Sequence, residues 1–231
     1  MSYKRTVRNN RYRRKRKSGR RQSIGHNMIY TSIITIVGLC MFVLICAIFA
    51  KSIKNNIQPP KEVVINEVNG DEVVQDFLTP NEYSRPQTPL KKVKGIVVHY
   101  TANPGTDAKA NRDYFESLSV THETHASSHY IIGLDGTVIQ CIPTNEISYA
   151  SNDRNKDTIS IECCHKKKNG KFTKETYEAL VKLVATLVKE FDVEKEDIIR
   201  HYDVTGKMCP KYYVEHEDLW VQFKEEVFAV K

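Results

Sequence analysis

Acidic residues are missing from the first 61 positions, which hold fourteen Lys or Arg and no Asp or Glu. The net charge of +7 for the whole chain therefore leaves −7 for residues 62–231. The chain is a basic tail joined to a mildly acidic remainder, and its overall pI describes neither part. The basic run Arg11–Lys17 taken alone reads as a nucleic-acid arm. Such a protein needs a basic folded domain, which this chain lacks, so nucleic acid is excluded as a partner. A disulfide framework is lacking too, although there are six cysteines. Cys163 and Cys164 are adjacent, and on a strand their side chains point to opposite faces. Together with Cys141 they read as small buried hydrophobes.

Met28 to Ala50 contains no Asp, Glu, Lys, Arg or His across 23 residues, and includes Cys40 and Cys46. A helix of about 20 apolar residues crosses a hydrocarbon core. The Lys/Arg excess ahead of it places the N-terminus in the cytoplasm, against an anionic leaflet that contributes about 1 kcal/mol per charge. The alternative is a cleaved signal peptide, but the run exceeds the roughly 7–15 residues of a signal core. The expectation is a basic cytoplasmic tail over 1–27, one transmembrane helix over 28–50 and the rest of the chain outside the membrane. Residues 51–91 have no sustained period and carry Pro59, Pro60, Pro80, Pro86 and Pro89. They read as a mostly extended extracytoplasmic linker, with Glu62–Ile65 and Val73–Leu78 as possible short strands or a packing arm.

A folded domain is predicted over 92–231. Gly95-Ile96-Val97-Val98-His99 reads as a buried strand with a histidine at its tip. Asp107 can cap a helix reaching about Leu118. Ser128–Gly133 and Thr137–Ile142 flank an Asp135-Gly136 turn and read as a hairpin. Thr158–Cys164 is a further strand. Tyr177, Leu180, Val181, Val184, Leu187, Val188 and Phe191 recur at helical spacing behind Thr173 as N-cap. Asp197–His201 is a short strand, and Glu217–Phe228 a last helix. Strands interleaved with helices imply an α/β domain with helices on a central sheet. About 135 residues suffice for a core without disulfides.

The stretch Arg200–Pro210 places His201 and Cys209 around Gly206. The spacing suits a loop folding back, which could bring an imidazole and a thiolate to one ion. His99 is the best third candidate. Three protein ligands and one open position describe a catalytic zinc site. The spacing matches no short zinc signature, however, so three unrelated polar residues remain the alternative. Lys207, two residues before Cys209, can stand beside the metal, where a cation stabilises an oxyanion. Asp203 can orient a ligand or the loop. His129 is expected beneath the site as a hydrogen-bonding residue. His122 and His125 lie in a polar loop and are expected to be exposed. Alternation places Ile159 and Ile161 on one strand face, and Ser160 and Glu162 on the other. Glu162 could be an acid in a structural ion pair.

Residues 94–228 resemble the zinc-dependent N-acetylmuramoyl-L-alanine amidases related to bacteriophage T7 lysozyme and peptidoglycan recognition proteins. The resemblance rests on Val97–Asn103, Ser127–Ile132, Thr158–Glu162 and Arg200–Pro210 in that order. It implies an α/β fold with a central mixed sheet flanked by helices, and one zinc on His99, His201 and Cys209. It implies Glu162 as general base and supports Lys207 as oxyanion partner. Two departures stand out. Ser128 occupies the place of a catalytic tyrosine in T7-type members, which shifts weight onto Glu162. Ser148-Tyr149 replaces a Trp-His pair of related phage and bacillus enzymes, so Tyr149, Asn152 and Arg154 become candidate substrate contacts. The expectation is a monomeric, membrane-anchored bacterial hydrolase cutting the amide between N-acetylmuramic acid and L-alanine. The alternative is a non-catalytic peptidoglycan-binding module. Such modules typically lose the cysteine ligand, which is present here.

Overall fold

The computed structural model describes residues 30, 32–48, 62–68 and 70–230. The basic tail over 1–27 lies outside the described residues. The chain divides into two units, residues 1–57 and 58–231. In the first, residues 32–48 are helical. Their large apolar side chains are exposed, among them Ile34, Leu39, Phe42 and Leu44. Among the described residues, no helix is long and apolar enough to cross a membrane.

The second unit is a six-stranded mixed sheet. Its strands are β3 (Val74–Gln75), β4 (Gly95–Tyr100), β5 (Tyr130–Ile132), β6 (Val138–Gln140), β7 (Thr158–Cys163) and β8 (Ile198–Arg200), in the order β3-β6-β5-β7-β4-β8. Strands β5 and β6 are antiparallel and the other neighbours parallel. A separate two-stranded hairpin pairs β1 (Glu67–Val68) with β2 (Asp71–Glu72). The central α/β sheet expected from the sequence is present. β4 is buried along nearly its whole length because it lies between β7 and β8 with covered faces, which suits a continuous apolar run.

Strand alternation sends side chains into two cores. Ile96, Val98, Tyr130, Ile132, Ile159, Ile161 and Cys163 pack with Leu180, Val184 and Leu187 of α2 (Lys174–Phe191), and with Trp220 and Phe223 of α5 (Glu217–Ala229). Ile131, Ile139, Cys141 and Cys164 pack against Ala108, Phe115 and Leu118 of α1 (Ala108–Thr121). Cys163 and Cys164 thus enter opposite cores, as adjacent strand residues must. Both predicted caps hold: the Asp107 carboxylate accepts from the Ala110 N–H, and the Thr173 hydroxyl oxygen accepts from the Thr176 N–H. Two short helices were not predicted, α3 (His201–Thr205) and α4 (Lys211–Glu215).

Residues 62–68 and 70–91 are a packed arm, and this corrects the extended-linker reading for that part of 51–91. β3 adds to the sheet edge beside β6. Leu78 and Leu90 are fully buried. Arg85 holds Glu146 with two parallel bonds, Nε to Oε2 at 2.9 Å and Nη2 to Oε1 at 2.8 Å. Arg112 of α1 donates to the Asp76 and Phe77 carbonyls. The arm is held by single apolar anchors and backbone pairing spread over two-residue strands. Elements that short have no readable hydrophobic period.

Candidate active site

The parallel register of β4 and β7 sets His99 beside Glu162. Both point to the face opposite that of Val98, Ile159 and Ile161, because side chains alternate along each strand. His201 opens α3 directly after β8, which also pairs with β4. The chain then turns at Gly206, whose φ of 78° is left-handed. It runs back so that the Tyr202 N–H donates to the Cys209 carbonyl at 2.9 Å. This fold-back brings Cys209 to the histidines. The ligand atoms of His99, His201 and Cys209 all lie within 4.8 Å of one another, and all three side chains are buried.

Hydrogen bonds outside the cluster fix both rings. Asn152 Oδ1 can only accept, so His201 Nε2 carries the hydrogen in their 2.9 Å bond and Nδ1 keeps its lone pair. His99 Nε2 lies 3.1 Å from Ser151 Oγ, and its Nδ1 lies 3.8 Å from Cys209 Sγ. Zinc bonds of about 2.0–2.1 Å to nitrogen and about 2.3 Å to sulfur put a tetrahedral N···S pair at about 3.6 Å. Burial, His201 and Lys207 hold His99 well below the ordinary histidine range, and burial and Lys207 lower His201. Both imidazoles are therefore neutral donors near pH 7. Burial pushes the Cys209 thiol up to about 12, and a bound dication would reverse that. The donor set fits a borderline-soft divalent ion.

Glu162 Oε1 lies 4.0 Å from His99 Nδ1, and Oε2 is shielded with no hydrogen-bond partner. Burial raises this carboxyl to about 8 against the pull of Lys207. Lys207 is exposed and lines the same cleft. Thr101, two residues beyond His99, also lines it, and its Oγ1 is buried without a partner.

The other sequence candidates separate clearly. Tyr149 and Asn152 line the cleft. Arg154 does not: its Nε donates to Asp157 at 2.8 Å, and its guanidinium lies against Gly95. Asp203 touches neither imidazole. It accepts from the backbone N–H and the guanidinium of Arg200, so it fixes the start of α3 and hence the loop. His129 is fully buried, with Nδ1 accepting from the Ser160 N–H and Nε2 donating to the Glu146 carbonyl. Both nitrogens are engaged, so it is a hydrogen-bonding residue outside the metal-ligand group, and burial holds its pKa down to about 4. His122 and His125 are exposed, as expected.

Sequence reading missed Ser151 and Thr101, which carry no motif of their own. It also missed an aromatic ladder. Tyr83 of the arm stacks on His122 at 4.3 Å and on His125 at 4.9 Å, and His125 meets Tyr149 edge-on at 5.4 Å. The arm thereby buttresses one wall of the cleft.

The sequence profile of the N-acetylmuramoyl-L-alanine amidase family matches residues 89–212, which hold His99, Glu162, His201 and Cys209. The N-acetylmuramoyl-L-alanine amidase CwlL of Bacillus licheniformis is 38% identical over 169 residues, covering 67% of this chain and 46% of that protein. The amidase BlyA of Bacillus subtilis is 33% identical over 174 residues, covering 66% and 46%. The chain spans about half the length of the curated relatives it matches. Among solved structures, a mutant endolysin from Bacillus subtilis superposes with a TM-score of 0.57 at 28% identity, covering 70% of this chain and 99% of that one. The catalytic domain of XlyA does so with 0.57 at 26%, covering 68% and 99%. The profile covers more than half of the 231 residues and the site geometry lies within it, so the chain belongs to the N-acetylmuramoyl-L-alanine amidase family.

Proposed function

We propose that the protein is a zinc-dependent peptidoglycan hydrolase that cuts the amide between N-acetylmuramic acid and L-alanine of the stem peptide. The observation that carries this is the convergence of His99, His201 and Cys209 beside Glu162, whose Oε2 has no hydrogen-bond partner. Zinc held by these three side chains would supply Lewis-acid chemistry, lowering the pKa of water and polarising an amide carbonyl. Glu162 takes a proton from the attacking water and returns it to the nitrogen as the C–N bond breaks. Its position among buried groups, with one oxygen free, suits a base whose proton affinity lies near the working pH. Lys207 offers a cation to the oxyanion as the carbonyl becomes tetrahedral. The Thr101 hydroxyl is free to donate to a substrate carbonyl, which would relieve its missing partner. Tyr149 and Asn152, which line the same cleft, contact the substrate.

Membrane attachment through 28–50 belongs to this reading. It is supported by the uncharged run, the basic residues before it and the exposed apolar side chains of 32–48. Protease added to intact protoplasts should remove the catalytic domain, and full protection of the chain would overturn the topology. The enzymatic reading is tested by mass spectrometry of purified peptidoglycan treated with zinc-loaded protein. New free L-alanine amines and lactyl-bearing glycan are expected. Binding without release would instead identify a peptidoglycan-binding module.

A further inference from the structure

A second concavity of about 310 Å³ lies in the same domain and shares no lining residue with the catalytic cleft. Its wall is aromatic: Phe172, Tyr177, Tyr212 and Tyr213, with Leu219 beside them. Phe172 and Tyr213 have ring centroids 5.0 Å apart, and Tyr177 lies parallel to Tyr213 at 6.4 Å. Lys171 and Lys174 stand at the rim, with Lys171 Nζ 5.4 Å above the Tyr212 ring.

The charge around it runs against the rest of the domain. Residues 166–174 hold five lysines and no acid, within a segment 62–231 of net charge −7. Lys166, Lys167 and Lys168 are exposed. Glu178 faces Lys174 at the rim and balances it, Glu215 faces Lys211, and Glu226 accepts from the Tyr177 hydroxyl and from Gln222. The positive charge left on the turn that leads into the groove is that of Lys166, Lys167, Lys168 and Lys171.

That turn also joins the two concavities. Gly170 has a φ of 77°, and a Cβ placed there would sit 3.0 Å from the Tyr100 ring and 3.5 Å from Lys211 Cβ. Tyr100 lines the catalytic cleft. A ligand leaving the cleft past Tyr100 meets the lysine turn and then the aromatic wall. Aromatic faces receive the apolar faces of sugar rings and acyl groups, and lysines receive carboxylates.

We propose that this lysine-rimmed groove is a second, non-catalytic subsite for the glycan–peptide strand, holding an acidic sugar–peptide unit adjoining the one being cut. It rests on the reading of peptidoglycan as substrate. Only a polymeric substrate can fill both concavities at once, so the gain is one of effective concentration and a short substrate should not feel it.

The test compares the full chain with Tyr212→Ala and Lys171→Glu on two substrates, insoluble sacculi and a soluble monomeric N-acetylmuramoyl peptide. Each variant should raise KM on sacculi about tenfold, the ratio expected of a single good contact. Turnover of the monomer should stay within about twofold. Lys171→Arg should restore the sacculus KM, and added salt should shrink the difference between wild type and Lys171→Glu. Equal losses on both substrates, or no change on either, would overturn the proposal. Cosedimentation with sacculi reads the groove without cleavage. Wild type that binds through Tyr212 and Lys171 yet frees no L-alanine amine would sink the amidase reading and leave the groove standing.

Discussion

Leu78→Ala tests whether residues 62–91 are part of the domain. Leu78 is fully buried among Ala108, Phe115, Leu118, Ile131 and Ile139. Its backbone is fixed by the N–H donating to Cys141 at 2.9 Å and the carbonyl accepting from Arg85 at 2.8 Å. Those bonds hold the backbone, so the site cannot collapse freely around an alanine. A cost of about 3 kcal/mol follows, within the roughly 2–5 kcal/mol of buried leucine truncations. With a urea slope of about 2 kcal/mol per molar, the unfolding midpoint of a chain beginning at Gln58 should fall by about 1.5 M. Val74→Ala is the control, because that side chain is 45% exposed in the same arm. It should stay within about 0.5 kcal/mol. If Leu78→Ala shifts the midpoint by less than about 0.3 M at unchanged slope, the arm is a stalk and the reasoning fails.

Three further outcomes concern the site. Glu162→Gln keeps the shape and removes the proton acceptor, so kcat should fall on the order of 10²–10⁴ with zinc content unchanged; wild-type turnover would rule Glu162 out as base. Cys209→Ala should lower zinc content, measured by atomic absorption, together with activity, and full zinc in that variant would refute the ligand assignment. Thr101→Val removes an unpartnered buried hydroxyl, so thermal stability should hold or rise while kcat/KM drops about tenfold, with Thr101→Ser recovering most of it. A drop in stability with unchanged kcat/KM would make Thr101 structural.

The long elements were legible because each carries its own signal. The apolar run of β4 needs two covered faces, α2 shows seven apolar residues at helical spacing behind a threonine cap, and the adjacent cysteines must split between two cores. His201, Gly206 and Cys209 fix a fold-back within nine residues, so that two of the three candidate metal ligands are local in the chain. The arm escaped because its anchors, Leu78 and Leu90, are single residues whose partners lie on distant elements.

Side-chain destinations depend on partners that sequence spacing does not reveal. Arg154 and Asn152 are two residues apart in one 3-10 turn, yet one turns to Asp157 and the other to His201. Asp203 stands two residues from His201 but meets Arg200, because helix α3 points it back at its own first turn. Local period and caps were enough to assign the α/β class and the main elements, since each of these is written within a short span of chain. The candidate metal set of His99, His201 and Cys209 rested instead on the resemblance of four motifs spread over residues 97–210. The register of β4 and β7 that pairs His99 with Glu162 came only from the packed sheet. So did the roles of Ser151 and Asn152 in orienting the imidazoles, and of Tyr83 in supporting the cleft wall. Those relations join residues about 40 to 60 positions apart, and only the assembled sheet brings them within hydrogen-bonding or stacking distance.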